Sequence, residues 1–283
     1  MTRHQHHADP AAEEAAEAKL LDLDAEVLHA YLADAISWLR QESGTIRRAR
    51  ILDLGAGTGT GTVALAQRFG GAEVIAVDAA APMLHRVRAR ALDLGLAPRV
   101  RTVEADLDAG LPDVGTVDVG WASMSLHHLT DPDRVLGQVF AALRPGRLLA
   151  VAEFGAHLRF LPDDLGFGRP GLEQRCHDAF QHAHDEALPH LGSDWTLRLE
   201  HAGFTQVRER AFTIALDPPH PPGTRRYALT WLRRMRSAIA DRLASDDLGT
   251  LDELLDGGGP RSLAERADLQ VRGVRTVTLA RRP

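Results

Sequence analysis

The chain reads as a doubly wound α/β protein built on a mostly parallel sheet. Two patterns predict this. From residue 50 onward short apolar strands alternate with helices over short connections, and the strands are apolar on both phases, as strands covered on both faces must be. The first of them, Ile51-Leu52-Asp53-Leu54, runs into Gly55-Ala56-Gly57-Thr58-Gly59-Thr60-Gly61 and then Thr62-Val63-Ala64-Leu65-Ala66. That order means strand, tight turn, helix. Parallel sheets bind ligands at the carboxyl ends of their strands, where strand order reverses, and the glycine turn sits at that edge.

Taken in order, residues 1–17 are polar, His-rich and then Ala/Glu-rich, and are expected to be disordered. Residues 18–44 predict one amphipathic cap helix, with Leu20, Leu23, Val27, Leu28, Tyr31, Leu32, Ile36 and Leu39 at helical spacing and a break at Gly44. The core is placed at 45–153. Its strands are expected at 50–54, 73–77, 99–104, 117–121 and 147–152, and its helices at 60–69, 82–94 and 131–143, the last opened by Asp131-Pro132 and closed by Arg144-Pro145-Gly146. Residues 154–193, rich in Gly, Pro and His, read as an inserted lid over a substrate pocket. Residues 194–283 return to the core. Asp194 caps a short helix, Gly203 ends it, and strands follow at 205–216 and 271–280 around a helical insert at 217–260.

Of 283 residues, 44% are hydrophobic and 25% charged, the balance of a soluble globular enzyme. No window approaches the roughly 18–20 apolar residues of a membrane helix. The polar start is no secretory signal, so the cytoplasm is the expected location and no membrane partner is foreseen. Cys176, the single cysteine, excludes an internal disulfide and a thiolate metal cluster. A net charge of −6 argues against nucleic acid as a partner. Lys19 is the only lysine beside many arginines, a coding bias that lowers the meaning of any arginine cluster. The sequence says nothing of the oligomeric state.

The glycine register narrows the ligand. A dinucleotide turn needs G-x-G-x-x-G or A, and Thr60 and Thr62 break both possible registers. D-x-G-x-G-x-G fits, with Asp53, Gly55, Gly57 and Gly59. This resembles motif I of the class I S-adenosyl-L-methionine-dependent methyltransferases. Four further elements follow in that family's order: Asp78 ending the second strand, Asp106 after the third, the Ala122–Leu129 loop after the fourth, and Leu199-Glu200-His201-Ala202-Gly203-Phe204 before the sixth. Leu143-Arg144-Pro145-Gly146-Arg147 is similar to its turn into strand five, with Arg147 in place of a second glycine. The likeness covers residues 50–216.

The resemblance implies a Rossmann-like methyltransferase fold of seven strands, the last antiparallel, with a helical cap. It implies S-adenosyl-L-methionine as cofactor, held by Asp53, Gly55, Ala56, Gly57, Asp78, Ala79, Met83, Asp106, Leu107, Ala122 and Ser123. Asp78 would take both ribose hydroxyls, with a helix N-cap as the plainer alternative. Asp106 would take the adenine amino group. The acceptor is expected to be a small molecule methylated at oxygen or nitrogen, because the additions over the carboxyl edge suit an enclosed pocket. The Asn/Asp-Pro-Pro-aromatic signature of DNA-adenine and glutamine methylation is absent after strand four. His127, His128 and Glu153 are the candidates for a proton acceptor, against a purely structural role for the histidine loop. His157, His177, His182, His184 and His190 crowd the insert without a metal-binding spacing, so no metal is expected. Arg225, Arg226, Arg233, Arg234 and Arg236 read as a solvated helix face, and Tyr227, Trp231 and Met235 as its packed side. The alternatives are a protein of this fold with non-methylating chemistry, a nicotinamide enzyme, or a regulator that binds the cofactor without turnover.

Overall fold

A computed structural model describes residues 10–283, apart from the side chains of residues 10, 11, 13 and 182–187. Two helices, α1 (Pro10–Val27) and α2 (His29–Glu42), precede the alternating part. There follow β1 (Arg50–Leu54), α3 (Thr60–Arg68), β2 (Glu73–Asp78), α4 (Ala81–Asp93), β3 (Val100–Glu104), β4 (Val117–Ser123), α5 (Pro132–Ala142) and β5 (Leu143–Arg159). The chain ends with α6 (Leu172–Ala187), α7 (Trp195–His201), β6 (Thr205–Leu216), α8 (Thr224–Ile239), α9 (Ser245–Leu255) and β7 (Val271–Arg281). The strands form one sheet in the order β3-β2-β1-β4-β5-β7-β6, with β7 antiparallel to both neighbours. This is the expected seven-stranded, mostly parallel, doubly wound sheet.

Apolar side chains on both faces of the central strands explain its burial. Ile51, Val74, Val119 and Trp121 pack under α2 and α3, while Leu52, Leu54, Val117 and Leu149 pack under α5 and α7. Asp131 and Asp194 cap α5 and α7, accepting the backbone N–H of Arg134 and Leu197. Arg147, where the family turn has glycine, stands 3.6 Å from the buried Asp118 carboxylate, which Arg144 meets at 2.8 Å.

Three expectations change. Residues 10–17 are helical rather than disordered, while residues 1–9 lie outside the described residues. The single cap helix is two, broken at Leu28, whose φ and ψ of −101° and 21° leave the helical region. Finally, segment 154–193 is not a detachable insert. β5 continues to Arg159 through two irregularities, and beyond it Phe160, Leu172 and Phe180 join Leu23, Leu232, Met235, Leu251 and Val271 in a separate apolar core. Asp247 of α9, 2% exposed, is bound by Arg169 at 2.7 Å and Arg175 at 2.8 Å, which hold its carboxyl below the usual range. Deleting 154–193 would therefore remove about a third of the cap's core and not only a lid.

Strand order reverses between β1 and β4, so their carboxyl ends open a crevice. The cap stands over it.

Candidate active site

The crevice holds two adjoining cavities. The first, about 380 Å³, is lined by Asp53, Gly55 and Ala56 of the first strand and turn, Asp78 and Ala79 after β2, Asp106 and Leu107 after β3, and Ser123 of β4. Leu21, Asp24 and Tyr31 of the first two helices close it from above. Of the residues predicted for a cofactor, Gly57, Met83 and Ala122 do not line it. Met83 and Ala122 are buried, and Gly57 reaches the site only through its backbone N–H.

Gly55 has φ +67°, and a Cβ there would fall 2.5 Å from Cβ of Ser125. The Ser125 hydroxyl donates to the Leu54 carbonyl at 2.8 Å, tying the loop after β4 onto the turn. So this glycine serves the packing of protein on protein as well as the turn. Gly55→Ala combines left-handed strain with a steric clash and is expected to destabilise the fold by about 2–4 kcal/mol, read from the shift of the urea midpoint.

Asp78 is half-buried and already engaged. One carboxylate oxygen accepts the N–H of Gly57 at 2.8 Å and the other that of Ala80 at 2.9 Å. It therefore braces the glycine turn and is not the cap of α4, whose N-cap is Ala80. A carboxylate has about four lone-pair positions, so two stay open toward the cavity. Asp106 is exposed on the rim, with one oxygen accepting the N–H of Asp108 at 2.9 Å.

Asp53 is 2% exposed and accepts the Thr62 hydroxyl at 2.5 Å. Burial pushes its carboxyl up to about 7, against a lowering by that hydroxyl. A carboxyl with a raised folded-state pKa binds its proton longer when folded, so stability falls as pH rises from about 4 to about 7. Asp53→Asn removes this dependence. Thermal denaturation at pH 5 and pH 8 is expected to show a smaller loss in the variant, by no more than about 4 kcal/mol.

The second cavity, about 150 Å³, is lined by Leu20, His127, Phe154, His157, Phe180, Tyr227 and Trp231. It shares Glu17, Leu21, Asp24, Met124, His128 and Arg275 with the first. Met124, at this boundary, has φ +56°, an uncommon value for a side-chain-bearing residue and one that concentrates at functional sites. His127 and His128 lie with ring centroids 4.2 Å apart. His127 Nδ1 is 2.6 Å from Glu153 Oε2, and both side chains are almost fully buried. Nothing among the described residues bonds His127 Nε2. Glu153 lines neither cavity, and its carboxylate meets His127.

Sequence reasoning missed Asp24, Tyr31, Met124 and Arg275. Arg275 is 3% exposed, its Nη2 lies 3.3 Å from Asp24 Oδ1, and its guanidinium carbon lies 4.5 Å over the Phe154 ring. The Tyr227 hydroxyl donates to the same Asp24 oxygen at 2.5 Å. A signal for Arg275 existed. It shares the strand phase of buried Val271, Val277 and Leu279, so alternation directs it inward. Tyr227 and Trp231, read as packing only, line the cavity, whereas Met235 is core. Among the α8 arginines, Arg225, Arg226, Arg233 and Arg236 bond carbonyls or carboxylates, and Arg234 alone lines the second cavity.

The histidines of the insert divide. His190 contacts the Thr130 carbonyl and Arg198. Burial lowers the pKa of His157, and that of His177 to about 4. The side chains of His182 and His184 lie outside the described residues. Among the described residues, no group of three or more His, Cys, Asp and Glu is arranged to hold a metal ion.

Residues 51–146 match the family model described as a methyltransferase domain. The chain is also 41% identical over 106 residues to a demethylmenaquinone methyltransferase of Thermus thermophilus, covering 37% of this chain and 47% of the relative. Residues 51–146 carry a methyltransferase domain. A trans-aconitate 2-methyltransferase of Paracidovorax citrulli is 36% identical over 104 residues, covering 36% of this chain and 38% of the relative. The chain spans less than half the length of these curated relatives. The methyltransferase fold extends further than the sequence likeness. A Haemonchus contortus phosphoethanolamine N-methyltransferase solved with S-adenosyl-L-methionine superposes with a TM-score of 0.52 at 18% identity, over 88% of this chain and 52% of that one.

Proposed function

We propose that this chain transfers a methyl group from S-adenosyl-L-methionine to an oxygen or nitrogen of a small molecule held in the second cavity. The observation that carries the proposal is the junction of the two cavities at Met124 and His128, with His127 on the wall of the second and the buried Glu153 behind it. The named substrates of the curated relatives, demethylmenaquinone and trans-aconitate, are small molecules as well. The proposal includes the cytoplasm as location and excludes nucleic acid as acceptor, supported by the net charge of −6. In it, α1, segment 154–193 and segment 217–260 form the cap that selects the acceptor.

The first cavity fits the methyl donor. Its volume lies within the roughly 300–1,000 Å³ usual for small-molecule sites. It sets two acids with free lone pairs, Asp78 and Asp106, against the apolar Leu107 and Leu129, and the Tyr31 hydroxyl beside it is buried without a partner. Asp78 would hold the ribose, Asp106 the adenine, and the Ala56 and Ala79 region the rest. When bound, S-adenosyl-L-methionine supplies an electrophilic methyl group on a sulfonium.

The chain's own work is positioning and proton transfer. Glu153 accepts the Nδ1–H of His127, which fixes the tautomer that leaves Nε2 bare for a proton. His127 is then the base for an acceptor hydroxyl or amine in the second cavity, and Glu153 positions it. The cap excludes water, and alignment alone can contribute roughly 7–11 kcal/mol. Calorimetric titration of the full chain tests the cofactor. S-adenosylhomocysteine is expected to bind and NADH to give no heat; the reverse would favour a nicotinamide enzyme. Cofactor binding with release of other fragments in place of methylated product would favour non-methylating chemistry.

A further inference from the structure

The second cavity carries polar atoms that the proposed proton transfer does not use. Three residues on its wall end in buried nitrogens without a partner among the described residues: Arg275 Nη1, Trp231 Nε1 and His157 Nδ1. Unpartnered buried groups are costly and rare, and three around one small chamber call for a common cause. A guanidinium and an indole N–H can only donate. His157 Nε2 lies 3.3 Å from the Gln181 amide oxygen, which can only accept, so the ring proton sits there and Nδ1 is left as an acceptor. Burial lowers the pKa of this ring. Two of the three can only donate, so the missing partner carries oxygen acceptors, and His157 Nδ1 has room for a donor beside them.

Shape and charge narrow it further. A chamber near 150 Å³ has the volume that admits one benzene-sized ring. Its walls are aromatic: Phe180 and Trp231 meet edge to face at 5.6 Å, and the Phe154 ring lies 5.6 Å from that of His157. Arg275 stacks over Phe154 at 4.5 Å, while His127 meets the same ring at 5.5 Å. The cation and the base therefore flank one ring. A cationic amine would face Arg275 and, at the mouth, the exposed Arg234, which has no ion pair among the described residues. Asp24 is already bound to Arg275 and Tyr227, and Glu17 is the other acid on the wall.

We propose that the acceptor is a single-ring aromatic acid methylated on its hydroxyl, its carboxylate held by Arg275 and Trp231 and its hydroxyl directed at His127. This rests on the methyltransferase reading above. The phenol proton passes to His127 Nε2, and the oxygen bonds the methyl carbon as the carbon–sulfur bond breaks with its electron pair going to sulfur. The proton then leaves to water. Arg275 also borders the first cavity, so a carboxylate on the methyl donor is the other source of the same chemistry, and the test separates the two.

Full-length protein, alone and saturated with S-adenosylhomocysteine, is titrated by calorimetry with 4-hydroxybenzoate, phenol, succinate and tyramine. The acid is expected to bind the saturated protein at least tenfold more tightly than any of the other three. Arg275→Gln should erase the preference for 4-hydroxybenzoate over phenol and leave S-adenosylhomocysteine affinity within about twofold. Trp231→Phe, which keeps the ring and removes the N–H, should weaken 4-hydroxybenzoate at least threefold and phenol less, so the proposal stays testable if Arg275→Gln does not fold. Equal binding of acid and phenol, or tightest binding of tyramine, overturns it. So does an Arg275→Gln loss as large for S-adenosylhomocysteine as for the acid, which would place the guanidinium on the methyl donor. Failure of the cofactor reading looks different: wild-type protein would give no heat with S-adenosylhomocysteine at all.

Discussion

His127→Ala is expected to lower kcat by about 10²–10⁴-fold, the usual contribution of a positioned base, while S-adenosylhomocysteine affinity stays within a few-fold. The reason is location. His127 stands on the wall of the second cavity and is absent from that of the first, so the loss should fall on turnover rather than on cofactor binding. The variant also strands Glu153 in the interior, and a loss of stability could imitate a loss of catalysis. Two readouts separate them. Added imidazole, filling the vacated space, should restore part of kcat. Glu153→Gln, which keeps a hydrogen bond to Nδ1 but loses the charge, should lower kcat by less and leave KM nearly unchanged. Unchanged turnover in His127→Ala would return the histidine loop to a structural role.

Asp78→Ala is expected to weaken S-adenosylhomocysteine by about 3 kcal/mol, roughly 100-fold, measured by calorimetry. Two losses combine in it. The open lone pairs that would take the ribose hydroxyls disappear, and the N–H groups of Gly57 and Ala80 lose the oxygens that brace the turn. Asp78→Asn distinguishes them, because an amide can keep one acceptor for the turn while its NH₂ cannot accept a hydroxyl. An intermediate loss in Asp78→Asn fits the double role. Unchanged affinity in Asp78→Ala would remove the ribose assignment.

The donor side of the site was legible because it is local. Strand, glycine turn and strand-end acid each lie within a few consecutive residues, and the parallel sheet brings Asp53, Asp78 and Asp106 to one edge by topology alone. Position in the motif did not fix each role, however. Met83 and Ala122 turned inward to the core, and Gly55 is required by Ser125 as much as by any ligand. The acceptor side was illegible for the opposite reason. Leu20, His127, Phe154, Phe180, Trp231 and Arg275 come from six separate elements or loops, and only the folded cap joins them. The helix through residues 18–27 was legible, but Leu21 and Asp24 lie off its stripe of Leu20, Leu23 and Val27, so their contribution to both cavities could not be read. Arg275 was hidden among many arginines, although its strand phase marked it for burial.

The central claim is that the methyl group crosses from the first cavity to a molecule in the second. It is tested most directly by incubating the full chain with S-adenosyl-L-methionine carrying a deuterated methyl group and a panel of small phenolic acids, amines and aliphatic acids, with products read by mass spectrometry. The predicted result is one acceptor bearing the label, with S-adenosylhomocysteine formed in equal amount and both lost in His127→Ala. Labelled S-adenosyl-L-methionine that binds yet stays intact with every acceptor, or breaks down without a labelled product, would contradict it.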